Sequence, residues 1–170
     1  MNEGLAVLRA RLAATMPVLL TLLLILVGVL PFGIGGLGSV VPLLPVIAVF
    51  YWSVYRPDLL PFIATFMLGV VQDALAGTPI GLSSLLLMLV QAVVISQRWF
   101  FLGKPFIILW WGFLLVASGA AAVMWLLTAL LFGVFPPLDP PIVQLALTAV
   151  SFPALVWLLG RAAQNLPRRV

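Results

Sequence analysis

Side chains able to do chemistry are scarce in this chain. Its 170 residues include four carboxylates, Glu3, Asp58, Asp73 and Asp139, and neither His nor Cys. That removes thiol chemistry, disulfides, the commonest zinc ligands and the usual general base. The carboxylates stand in different segments, with no paired acid and base, no nucleophile elbow and no phosphate-cradling glycine loop before a lysine. Neither an enzyme nor a cofactor or metal site is expected. Met67, Met88 and Met124 read as lipid-facing or core fillers rather than ligands.

Asp73 differs from the other carboxylates because it lies inside a long apolar stretch, where a carboxylate is costly enough to suggest function by default. Gly69 and Gly77 sit four residues to either side of it. On a helix the three share a face that another helix can approach closely, with Gln72 as polar neighbour. Asp73 is also about four residues from the outer end of its stretch, where a carboxylate can reach headgroup water. No cation is available inside an apolar stretch to pair with it, so packing or partner contact is favoured over a proton or ion relay. On this reading, bulk at Gly77 should disrupt more than loss of the Asp73 carboxylate.

A second polar group is the turn Tyr55-Arg56-Pro57-Asp58. It could dock a cytoplasmic partner, but a capped helix start carrying an orienting charge is the simpler reading. The lone amides Gln91, Gln97, Gln144 and Asn165 read as interhelical hydrogen-bond donors.

These residues must be positioned by membrane helices. Hydrophobic residues make up 65% of the chain and charged residues 7%, an excess that only lipid can solvate. In lipid every backbone polar group must be satisfied within a helix or a closed barrel, and barrel strands alternate in short segments. The apolar runs here are continuous. An all-α integral membrane protein of six spans in one domain is expected, at about 12–31, 39–55, 59–76, 80–96, 105–135 and 142–160. Asp58, Thr78 and Asp139 sit at N-cap positions, with Pro79 and Pro140 following the latter two. Gly33, Gly35, Gly36 and Gly38 make the first connection the most flexible. The fifth stretch exceeds one span, and Ser118-Gly119-Ala120-Ala121-Ala122 is the expected place for a bend or close crossing.

The charge of +4 comes from basic residues scattered in ones and twos, a pattern of membrane orientation and not of nucleic-acid binding. With both termini inside, Arg9, Arg11, Arg56, Arg98, Lys104, Arg161, Arg168 and Arg169 all fall on the cytoplasmic side of the bilayer. Tyr51, Trp52, Tyr55, Trp99 and Trp157 would be aromatic anchors at that interface. The first apolar stretch is longer than a signal h-region and no small-x-small site follows it, so a retained first span is expected.

Two segments together, Tyr51-Trp52-Ser53-Val54-Tyr55-Arg56-Pro57-Asp58 and Gly69-Val70-Val71-Gln72-Asp73-Ala74-Leu75-Ala76-Gly77-Thr78-Pro79-Ile80-Gly81, resemble the bacterial rod shape-determining protein MreD family. In that family an aromatic second span ends in an Arg-Pro turn, and the third ends in Gln-Asp before a Gly-x-Pro-Leu-Gly turn. Ile80 here replaces the leucine. By matching, Arg56, Pro57, Gln72, Asp73, Gly77, Pro79 and Gly81 are the motif positions, and Gly69 joins them as a packing candidate.

The resemblance implies a non-enzymatic subunit of the cell-elongation machinery in the bacterial cytoplasmic membrane. Its implied partners are an MreC-like bitopic protein and, through the complex, the RodA polymerase, an elongation-specific penicillin-binding transpeptidase and the MreB filament. It also implies a six-helix fold like the substrate-binding subunits of energy-coupling-factor importers. Such a subunit, binding a small molecule at the outer ends of its helices, is the competing function. A polar and aromatic outer pocket would favour it, yet beyond Gln72, Asp73, Thr78, Ser83 and Ser84 the outer third is aliphatic.

Overall fold

Hydrophobic runs punctuated by proline and glycine fold into six α-helices in the computed structural model, which describes residues 2–29, 41–133, 135 and 137–164, with side chains from Thr15 onward. The helices are α1 (Asn2–Val29), α2 (Leu44–Tyr55), α3 (Phe62–Ala76), α4 (Leu82–Phe101), α5 (Phe106–Phe132) and α6 (Asp139–Gln164), with a 3-10 turn, Pro57–Leu59, between α2 and α3. The described elements are all helical. Three of them, α4, α5 and α6, are long and apolar enough to cross a membrane. The glycine-rich connection 33–38, Asn165, Arg168, Arg169 and the side chains of Arg9 and Arg11 lie outside the described residues.

Element boundaries depart from the expected stretches in instructive ways. The second stretch, expected over 39–55, is helical only from Leu44. Extended backbone at 41–43 is tolerated because α6 satisfies it: the Gln144 amide donates to the Val41 carbonyl at 2.9 Å, and the Leu43 N–H donates to Thr148 Oγ1 at 2.9 Å. Non-helical backbone at membrane depth requires this kind of protein partner. The N-caps of α3 and α4 are Pro61 and Gly81 rather than Asp58 and Thr78. Asp139, by contrast, opens α6, whose last turn carries Arg161, a placement matched to the helix dipole.

α2 is the hub. Every residue from Leu44 to Val54 is buried, as expected of a helix apolar on all sides. It packs against α1, α4, α5 and α6, while α3 lies outside it on α1 and α4. Phe50 makes edge-to-face contacts with Phe101, Phe113 and Phe152 at centroid distances of 5.6, 5.3 and 5.9 Å. Phe113 and Phe152 stack at 4.2 Å, joining α5 to α6.

This placement corrects the aromatic-belt reading for two residues. Trp52 is fully buried and Tyr51 nearly so, because both belong to the central helix and have neighbours on every side. Tyr55, Trp99 and Trp157 are exposed, and Trp157 lies under the Arg161 guanidinium at 4.2 Å. Bulky apolar side chains such as Leu19, Met67, Leu89, Leu115 and Val150 also face outward, an exposure suited to lipid. In the α5 run Ser118–Ala122, Ala120 is buried in the core while Gly119 faces open space, a Cβ there meeting nothing within 4 Å. The close approach is at Gly112, against the Phe101 ring.

Candidate functional site

α3 and α4 form an antiparallel hairpin, and Asp73 ties its turn together. The carboxylate, with no exposed surface, receives donors from three residues of the turn and of α4's first residues. The Thr78 hydroxyl donates to Oδ1 at 2.8 Å and the Gly81 N–H to Oδ2 at 2.8 Å. The Ser83 N–H reaches both oxygens, at 3.0 and 3.2 Å. The first N–H groups of any helix lack intrahelical partners and attract negative charge. Asp73, although ten residues upstream of Ser83, does for α4 what a local cap would do. Its carboxylate therefore does not reach the headgroup water, because the loop folds back over it.

The loop can fold back because two glycines take left-handed backbone, Gly77 with φ 67° and Gly81 with φ 104°. Gly77 ends α3, its N–H donating to the Asp73 carbonyl. A Cβ on Gly77 would meet nothing within 4 Å, so no helix among the described residues packs closely there; within this chain its left-handed backbone is what requires glycine. Gly69 is the point of close approach. A Cβ there would collide with the Cα of Ser84 and lie 2.6 Å from its N and 2.8 Å from its Oγ. The Ser84 hydroxyl in turn donates to the Phe66 carbonyl at 3.1 Å, fastening the hairpin one turn below Asp73.

The motif positions fall into two groups at opposite ends of α3, which at 15 residues is about 22 Å long. Gly69, Gln72, Asp73, Gly77, Pro79 and Gly81 gather at the α3–α4 turn, with Pro79 exposed and its carbonyl accepting the Leu82 N–H at 3.2 Å. Gln72 is half-buried, and its Oε1 has no hydrogen-bond partner among the described residues. Arg56 and Pro57 are at the other end. Arg56 caps α2 through its N–H to the Trp52 carbonyl, and its Nε lies 3.5 Å from Asp58 Oδ1. At such partly exposed sites an ion pair contributes little.

A second anchoring system is built on two of the lone amides singled out in the sequence, with Thr148 and Trp110, which the sequence does not single out, as partners. Fully buried Gln91 on α4 donates to the Leu60 carbonyl at 2.6 Å, securing the non-helical segment that leads into α3. Gln144 and Thr148 do the same for the backbone before α2, and the Trp110 Nε1–H donates to the Ala149 carbonyl at 3.2 Å between α5 and α6. Gln91 and Gln144 thus join segments as the lone-amide reading proposed, although their acceptors are backbone carbonyls outside helices. Among the described residues no group of three His, Cys, Asp or Glu could hold a metal.

Comparison with known proteins adds the family. No curated protein and no solved structure matches the chain. The family model for the rod shape-determining protein MreD matches residues 8–159, nearly the whole of the described helical bundle, and the chain belongs to that family of shape-determining membrane proteins.

Proposed function

We propose that this protein is a non-enzymatic scaffold of the rod-shape complex that helps position lateral peptidoglycan synthesis through contacts with an MreC-like bitopic partner. It would act as a single six-span domain of the cytoplasmic membrane with both termini inside. RodA, the elongation-specific transpeptidase and MreB would be reached through the same assembly. The observation that carries this reading is the character of the exposed surface: apolar helix faces, with α2 to α6 joined by connections of only a few residues. A protein built this way meets partners mainly inside the bilayer.

The importer-subunit alternative is weakened by the hairpin chemistry. Of the polar groups able to line a solute pocket at that end, Asp73, Thr78 and Ser84 are engaged in joining α3 to α4, which leaves Gln72 as the one whose oxygen has no partner among the described residues. Depletion of the protein in its rod-shaped host tests the proposal. Cells should round up and recover with the wild-type chain; cells that stay rod-shaped while losing uptake of a small solute would contradict it.

A further inference from the structure

A groove of about 510 Å³ runs between α4 and α5, walled by Val93, Gln97, Phe100, Phe101, Trp111 and Leu115. It lies away from the α3–α4 turn and shares Phe101 and Gly112 with the contacts described above. Gln97 is the one hydrogen-bonding side chain among non-aromatic lining residues. The tight α4–α5 turn marks one end: the Leu102 N–H donates to the Arg98 carbonyl, and the Lys104 N–H to the carbonyl of the groove residue Phe101 at 3.3 Å. The exposed Lys104 sits on that turn, three residues beyond the lining residue Phe101, and Arg98 stands one helical turn before Phe101 with its guanidinium 5.9 Å from the Trp99 ring; both are next to the groove's end without lining it.

Two features identify the occupant. The first is charge. No Asp or Glu occurs between Ser83 and Leu138, and the ion pair found among the described residues is Arg56 with Asp58. Lys104 and Arg98 have no carboxylate partner there, and the Arg98 Nε is buried without a hydrogen-bond acceptor. The second is shape. From Val93 to Phe101 the groove follows roughly 12 Å of helix axis, and its walls are bulky side chains, Phe100, Phe101, Trp111 and Leu115 among them. Close helix packing needs small residues at the contact. The glycine available, Gly112, is already filled by the Phe101 ring. A flexible hydrocarbon chain fits where a helix does not.

We infer that the α4–α5 groove binds an anionic phospholipid, one acyl chain lying along Val93, Trp111 and Leu115 and the phosphate meeting Lys104 and Arg98 at the turn. Basic residues between membrane helices at the cytoplasmic side bind anionic headgroups in this manner. The lipid would cover the α4–α5 seam and hold its two helices together at their charged end.

Native mass spectrometry of the full chain in mild detergent tests this, with phosphatidylglycerol and phosphatidylcholine of identical acyl chains as probes. The wild type should retain phosphatidylglycerol in preference. Lys104→Gln should reduce that preference roughly fivefold, as expected for one basic residue near a headgroup, and Lys104→Arg should restore it. Val93→Phe, at an exposed groove wall, should reduce retention of both lipids. Equal retention of the two lipids by the wild type, or an unchanged preference in Lys104→Gln, would overturn the inference. So would a groove occupied instead by a second copy or a partner helix, seen as a protein adduct that displaces both lipids.

Discussion

Asp73 costs the least where its partners are most numerous. Removing its side chain strands the Gly81 and Ser83 N–H groups in a buried turn, and an unsatisfied buried donor costs about 1–3 kcal/mol. Asp73→Ala should lower the thermal stability of the purified protein by about that amount, and Asp73→Asn by less, since the amide keeps one acceptor oxygen. Gly69→Ala should cost at least about as much, because the obstruction is Ser84 backbone rather than a movable side chain. Gly77→Ala and Gly77→Leu should cost alike, about 1–2 kcal/mol, since the penalty lies in the left-handed backbone and not in bulk. Melts followed by tryptophan fluorescence would rank the set. Unchanged stability of Asp73→Ala together with lost shape control would point instead to a relay or ligand role for the carboxylate. The sequence singles out Asp73, since a lone carboxylate in an apolar stretch is visible in the chain itself. Its donors are not legible there, because they depend on a turn that brings residue 83 back to residue 73.

At the scale of helices, the aromatic cluster around Phe50 fixes α2 within the bundle. Lipid is as apolar as the core, so membrane helices associate through packing rather than expulsion from water. A cavity at this crossing therefore loses contacts that nothing replaces. Phe50→Ala should destabilise by about 3 kcal/mol, whereas the exposed Phe100→Ala should have little effect on the same melts. Comparable losses at both positions would show that the cluster does not organise the fold. Continuous apolar runs make the helices themselves readable from sequence. The central position of α2 is not, because a buried helix and a lipid-facing one share the same composition. That is why Tyr51 and Trp52 resemble an interfacial belt in the sequence and prove to be core. The helix start at Leu44, likewise, depends on Gln144 and Thr148, about a hundred residues away.

For the molecule as a whole, helix packing brings Arg56, Arg98, Lys104 and Arg161 to one end of the bundle and Asp73 and Asp139 to the other. Contacts between Phe50, Phe101, Phe113 and Phe152, together with Gly160 facing the Tyr51 hydroxyl, align the basic ends of α2, α4, α5 and α6. This segregation predicts that the basic end faces the cytoplasm. The chain has no cysteine, so single cysteines introduced beside Lys104 and Asp139 can be labelled individually in intact cells. A membrane-impermeant reagent should reach the second and not the first; labelling of both from outside would contradict the orientation.

The central claim, a scaffold that works through helix-face contacts inside the rod-shape complex, is tested most directly by affinity purification of the full chain from its host in mild detergent, with the co-purifying proteins identified. The account predicts recovery of an MreC-like bitopic protein, retained by the wild type and reduced in proportion to the loss of folded protein in Asp73→Ala and Gly69→Ala. Recovery of the energising subunits of an importer, with no component of the elongation machinery, would contradict it.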